Sequence, residues 1–260
     1  MVWLDCHDVG STLASIAGAV AISPTELEQA LREYDDEARF NDCSEDPWKL
    51  MPCEVLAWFD TDIETIAASF GGAHYFHGTR ALDSDAFRRR GILPLDQMVE
   101  ELWATLREFA GDEMTDEHWA TFRSVVEQGA GGHDGFLYRL KTGGRTHFGP
   151  FGLLVREIFL DPQATGSHDY LGCPEIVQDI ARCYRVAHVT DLEQRFCDTA
   201  RPCIVNFRSS QLRRGAINAA LWFAYTKLRD DEITGNANWA FDGEGEPVPA
   251  EDVLDVEVVV

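Results

Sequence analysis

The hydrophobic period of this chain changes near residue 132, and no all-helical or all-strand fold accommodates both halves. Before that point, apart from an aromatic strand-like run at 74–76, the spacing is helical. Ser23-Pro24-Thr25-Glu26 has the Ser-x-x-Glu spacing of a capping box with Pro at the first helical position, and Leu27, Ala30, Leu31 and Tyr34 follow on one face. A second helix is expected from Gln97 to about Phe109, its stripe formed by Met98, Leu102, Leu106 and Phe109. A third begins at Thr115, carries Asp116 and Glu117 where the helix dipole favours anions, buries Trp119, Phe122 and Val126, and stops at Gly129. After residue 132 come short strand-like runs, "GFLYRL", "FGLLVREIFL", "RPCIVNF", "NWAF" and "DVLDVEVVV", with helices at about 174–186, 190–200 and 211–229 between them. Strands separated by helices at uneven spacing imply an α+β fold.

Residues 1–66 read as a helical N-terminal unit and residues 67–260 as the main domain. The stretch "STLASIAGAVAISPTELEQAL" has the outline of a helix-turn-helix, but Glu26, Glu28 and Glu33 against Arg32 would repel phosphates, so it reads as a packing unit. The net charge of −23 makes the same argument for the whole chain, against nucleic-acid binding and against docking on anionic membranes. Arg88-Arg89-Arg90 and Arg213-Arg214 can still line an anionic pocket, although a solvated helix face is the ordinary use of such runs.

Cysteines at 6, 43, 53, 173, 183, 197 and 203 make no Cys-x-x-Cys pair, and the histidines form no ligand cluster, so no metal is expected. The cysteines read as reduced thiols in the core of a cytoplasmic protein. The apolar run Leu13 to Ile22 is too short to span a bilayer and follows Asp5 and Asp8 where a signal peptide would carry positive charge. The loop "GAGGHDG" lacks the Lys-Ser/Thr of a phosphate-binding P-loop and reads as a flexible loop beside a cleft.

The chemistry concentrates in residues 74 to 95, "HYFHGTRALDSDAFRRRGILPL". An aromatic strand runs into His77-Gly78-Thr79, a short helix closed by Gly91 follows, and Gly91-Ile92-Leu93-Pro94 turns the chain back. Gly78 lets a flat ligand approach the backbone, with hydrogen-bonding side chains on both flanks. A strand, a turn and a core histidine would use the same residues.

Phe76-His77-Gly78-Thr79-Arg80 followed by Gly91-Ile92-Leu93-Pro94 resembles the first motif of the ADP-ribosyltransferase superfamily, in which a strand ends in His-Gly-Thr or His-Gly-Ser. "VPAEDVLDVEVVV" resembles the closing segment of many bacterial members. The resemblance implies a split β-sandwich with surrounding helices and NAD, as substrate, lying in a cleft between two small sheets. It implies that His77 bonds the adenosine-side ribose, that the Gly78 backbone bonds the nicotinamide carboxamide and that Thr79 supports the turn; Arg80 is assigned to the pyrophosphate on charge alone. The family's stacking aromatic falls to Tyr138 or Tyr170, with Phe148 behind them and Tyr138 favoured. Its late-strand glutamate has no counterpart around "NWAF", where Asn236 and Asn238 stand, which leaves Glu232, Glu244 or Glu246, with Glu246 the working choice.

The activity implied is cleavage of the nicotinamide–ribose bond with transfer of ADP-ribose to a macromolecular acceptor, protein or nucleic acid, in a bacterial toxin or defence effector with a neutralising partner protein and no membrane. Two alternatives stand beside it. An RNA 2′-phosphotransferase of the same fold would need more cations than this chain offers. A non-catalytic acidic binding module would explain the missing glutamate.

Overall fold

A computed structural model describes residues 1–34, 46–186 and 188–259, and Cys43 lies outside them. The fold is α+β, as the change of period implies. Six strands, β1 (Val2–Leu4), β2 (Phe70–Ala81), β3 (Phe151–Leu153), β4 (Arg201–Ser209), β5 (Ala240–Asp242) and β6 (Val253–Val258), form one sheet. Its order is β5-β3-β2-β4-β6, with β1 also pairing β2. β1 runs parallel to β2, Val2 facing Phe70, while β3 runs antiparallel to it, Phe76 facing Leu153. The two small sheets implied by the family resemblance are therefore not found among the described strands. β2, at twelve residues, is long enough to pair with several strands along its length. It also runs through His77 to Ala81, so the His-Gly-Thr triplet lies within the strand and not at its end.

The described residues form two compact units, each discontinuous in sequence. The first combines residues 1–76, of which 35–45 are not described, with residues 152–168 and 206–241. At its centre the helix Arg214–Leu228 buries Ile217, Ala220, Leu221, Phe223 and Ala224, because it is apolar nearly all round. The helices Val9–Val20, Pro24–Glu33, Pro47–Ala57 and Ile63–Ser69 pack on it. This corrects the expected boundary at residue 66: the N-terminal helices cover a helix more than 150 positions away in the chain and β1 joins the sheet, so residues 1–66 are not a unit by themselves. The capping box is present as read, with Ser23 and Glu26 satisfying each other's backbone N–H groups. The run Leu13 to Ile22 overlaps a twelve-residue helix, and no helix among the described residues is long and apolar enough to cross a membrane.

The second unit combines residues 77–151, 169–205 and 242–260, of which Ala187 and Val260 are not described. Helices Leu95–Ala110, Asp116–Glu127, Gly132–Thr142, Glu175–Arg185 and Leu192–Thr199 enclose a core of Trp103, Leu106, Trp119, Tyr138, Ile180 and Tyr184. "GFLYRL" is thus helix and not strand. Gly129 and Gly132 take positive φ (73° each) at the entry, and the helix then buries Gly135 and Tyr138 at i, i+3 while Phe136 and Leu140 face out. Gly131 needs its bare backbone here, since a Cβ would sit 2.7 Å from the Cys183 sulfur. "GAGGHDG" accordingly turns into this helix and is not a loop throughout. "FGLLVREIFL" keeps only three strand residues before the 3-10 turn Arg156–Phe159.

Cys6, Cys173 and Cys203 are buried, Cys183 and Cys197 are half-buried, and Cys53 is exposed, so the reading of the cysteines as core thiols holds for only part of the set. Burial pushes the thiols of Cys6 and Cys173 well above the usual range, that of Cys183 up to about 11 and that of Cys203 upward, which makes them poor nucleophiles.

Candidate functional site

A cavity of about 740 Å³ opens in the second unit. Its first wall is β2 from His77 to Ala81; its second is the short helix Ala86–Arg90 with the turn that follows. That turn is fixed from both sides. Ile92 and Val248 exchange backbone hydrogen bonds at 3.0 and 2.9 Å, and Gly91 takes φ 78° where a Cβ would stand 2.0 Å from the Val248 carbonyl. The third wall is the face Leu95, Met98, Leu102 and Thr105 of the next helix. The expected stripe on this helix therefore divides: Leu106 enters the core, while Met98 and Leu102 line the cavity.

His77 sets the chemistry of the first wall. Its Nδ1 lies 2.7 Å from the Phe151 carbonyl oxygen. A carbonyl only accepts, so Nδ1 carries the proton and the neutral ring keeps a lone pair on Nε2. Burial holds the imidazole below its ordinary pKa of 6.5, opposed by the bond to Phe151. The folded state thus takes up fewer protons than the unfolded chain in the window just below pH 6.5. The contribution of His77 to stability is present above that window and lost as pH falls through it. An NMR titration is expected to give His77 a midpoint below 6.5 with the Nδ1–H tautomer above it; a midpoint above 6.5 would contradict this geometry.

Gly78 and Thr79 line the cavity beside His77, as does Phe148, whose carbonyl accepts from the Leu95 N–H at 2.9 Å. Arg80 reaches the same wall, but its guanidinium is occupied. It donates to the carbonyls of Ala200 at 3.1 Å, Leu171 at 2.7 Å and Cys197 at 2.5 Å, with a longer contact to Gly172 at 3.4 Å. The expected pyrophosphate role of Arg80 gives way to a structural one, because those carbonyls hold its donors.

Two further expectations are corrected. Tyr138 is 2% exposed, accepts a hydrogen bond from Trp103 Nε1 at 2.9 Å and does not line the cavity. Tyr170 does line it, and burial together with the nearby Glu175 charge pushes its hydroxyl above the usual pKa. Tyr138→Phe is expected to cost about 1–2 kcal/mol by leaving the Trp103 donor unpaired, with ligand binding unchanged. Urea unfolding and a binding titration check the two halves of that statement. Glu246 lies on an exposed loop, its side chain 74% accessible and paired with Arg145 at 2.5 Å, and neither it nor Glu232 nor Glu244 lines the cavity.

The carboxylates the cavity does hold are Asp83, Glu101 and Glu175. Glu175 opens the helix Glu175–Arg185 and lies 3.5 Å from Lys141 Nζ, which is also 2.7 Å from Asp179. Asp179 is buried, and desolvation raises its pKa against the pull of Lys141. Sequence reading assigned no role to Glu175 or Lys141. Their signals, an acidic residue after Pro174 and a base in the last turn of a helix, also fit ordinary helix ends.

No protein-family model, no curated protein and no solved structure matches this chain. The cavity is concave and of ligand-binding size, and its lining includes a neutral imidazole acceptor, the aromatic residues Phe148 and Tyr170, and the carboxylate of Glu175.

Proposed function

We propose that this cavity binds NAD and that the protein is an ADP-ribosyltransferase-like enzyme cleaving the nicotinamide–ribose bond. The observation that carries the reading is the His-Gly-Thr stretch on the wall of a 740 Å³ cavity, with the His77 Nε2 lone pair left free of the Phe151 hydrogen bond. In this reading Nε2 accepts a ribose hydroxyl, and Phe148 and Tyr170 flank the planar nicotinamide. The bond from the ribose anomeric carbon to the nicotinamide nitrogen breaks with its electron pair going to the nitrogen. The cationic sugar left behind is stabilised by the carboxylate of Glu175, which takes the place expected of Glu246. A nucleophile of a macromolecular acceptor, or water, then takes the anomeric carbon and releases a proton.

One observation favours a second reading, a binding module without turnover. Glu101 and Glu175 both sit in ion pairs, with Arg90 at 2.8 Å and Lys141 at 3.5 Å, and such pairing weakens the field a cationic sugar would feel. Calorimetric titration with NAD tests what the two share. Wild type is expected to bind, and His77→Ala to weaken binding about tenfold or more. Absence of NAD binding to folded wild-type protein would defeat the proposal; binding without nicotinamide release would favour the second reading.

A further inference from the structure

Four cationic side chains line the cavity, and they differ in how firmly each is held. Arg80 is held by the backbone carbonyls of Ala200, Leu171 and Cys197, and withdrawing it would take the charged donor from all three at once. Lys141 is held by Asp179, whose side chain is 3% accessible, and withdrawing the ammonium would strand a buried carboxylate. Arg89 and Arg90 are different. Arg89 pairs with Asp83 at 2.5 Å and Arg90 with Glu101 at 2.8 Å, and those carboxylates are 56% and 55% accessible. Exposed pairs of this kind contribute little, and a carboxylate released from one returns to water. Arg88, the third of the run, pairs with Asp255 and does not line the cavity.

From this contrast we infer that Arg89 and Arg90 form an exchangeable anion clamp that takes the diphosphate group of a bound nucleotide. The inference rests on the NAD reading for its ligand but not for its geometry. Each guanidinium can meet a phosphate with two parallel hydrogen bonds, which neither Asp83 nor Glu101 outcompetes once a dianion enters a partly desolvated cavity. The two arginines are presented by a segment that cannot drift, because the Ile92–Val248 backbone pair and the close approach at Gly91 fix its end. Asp83 and Glu101 hold the clamp closed while the cavity is empty and keep a strongly acidic protein from exposing bare cations. The clamp explains how a chain of net charge −23 can receive a dianionic ligand without a basic surface.

The test is a calorimetric comparison of inorganic pyrophosphate, adenosine and NAD on the full-length protein and four variants. Arg89→Gln and Arg90→Gln are each expected to weaken pyrophosphate and NAD about tenfold and to leave adenosine unchanged. Asp83→Asn and Glu101→Gln remove the competing anion and are expected to strengthen both phosphate ligands by about two- to fivefold. That gain is what a merely structural ion pair would not produce. Affinities of both arginine variants within twofold of wild type would overturn the clamp, as would weaker binding in both carboxylate variants at unchanged melting temperature. Pyrophosphate binding that follows this pattern while NAD fails to bind would uphold the clamp and defeat the NAD reading. NAD binding unaffected by either arginine substitution would do the reverse.

Discussion

Arg80→Ala is expected to destabilise the protein by about 3–5 kcal/mol, more than any other single change in the His-Gly-Thr-Arg stretch. The guanidinium of this half-buried side chain joins the carbonyls of Leu171, Cys197 and Ala200, which otherwise have a sequence gap of some ninety to one hundred and twenty residues to β2. Hydrogen bonds to a charged donor are stronger than neutral ones, and removing the donor leaves several partly buried acceptors unpaired at once. Lysine does not restore them, because one ammonium cannot present the planar fork. The neighbouring Arg88 is the control. Its pair with Asp255 is exposed on both sides, and Arg88→Ala is expected to change stability by less than about 0.5 kcal/mol. Urea unfolding of the two variants checks the contrast, and a loss below about 1 kcal/mol for Arg80→Ala would show that the carbonyls find other donors.

The second large effect concerns catalysis. Glu175→Gln keeps the size of the side chain and removes the charge that the proposed mechanism places near the cationic sugar. Nicotinamide release is expected to fall about a hundredfold or more in kcat with a smaller change in KM, the pattern of an interaction made mainly in the transition state. Lys141 retains Asp179 at 2.7 Å, so the wall should stay in place. Glu246→Gln, which only frees Arg145 on an exposed loop, is expected to keep its rate within about twofold. A loss confined to Glu246→Gln would return the catalytic carboxylate to that loop and discard the role given to Glu175.

Much of the secondary structure was legible because it is written locally. The Ser23–Glu26 capping box, the helix entered at Thr115, the strand through Ile204 and Val205, and the glycine-closed helix at Arg88-Arg89-Arg90 all carry their signals within a few residues. "GFLYRL" misled because a short apolar run fits a buried strand and a buried helix equally well. The helix buries Tyr138 in the core beside Trp103 and brings Gly131 at its entry against Cys183, contacts that no local pattern records. The division into units was illegible for a related reason: helices from the first seventy residues cover the helix Arg214–Leu228.

The site shows the same split. His77, Gly78 and Thr79 were named from the motif, Phe148 as an aromatic behind the two tyrosines, and all four line the cavity. Arg80 is there too, but its carbonyl partners are all distant in sequence, so charge alone suggested a ligand role while the fold engages its guanidinium with backbone carbonyls. Tyr138 and Glu246 were chosen among alternatives that no spacing separated, and the fold sends one into the core beside Trp103 and the other to an exposed turn beside Arg145. Glu175 and Lys141 reach the cavity from two different helices, and their convergence exists only in three dimensions.

The most direct measurement is the time course of nicotinamide release from NAD by the purified wild-type protein, with and without cell extract as a source of acceptor. Wild type is expected to release nicotinamide, and His77→Ala to abolish the release. No release in either condition, together with no NAD binding by calorimetry, would contradict it and leave residues 74 to 95 as a strand, a turn and a core histidine.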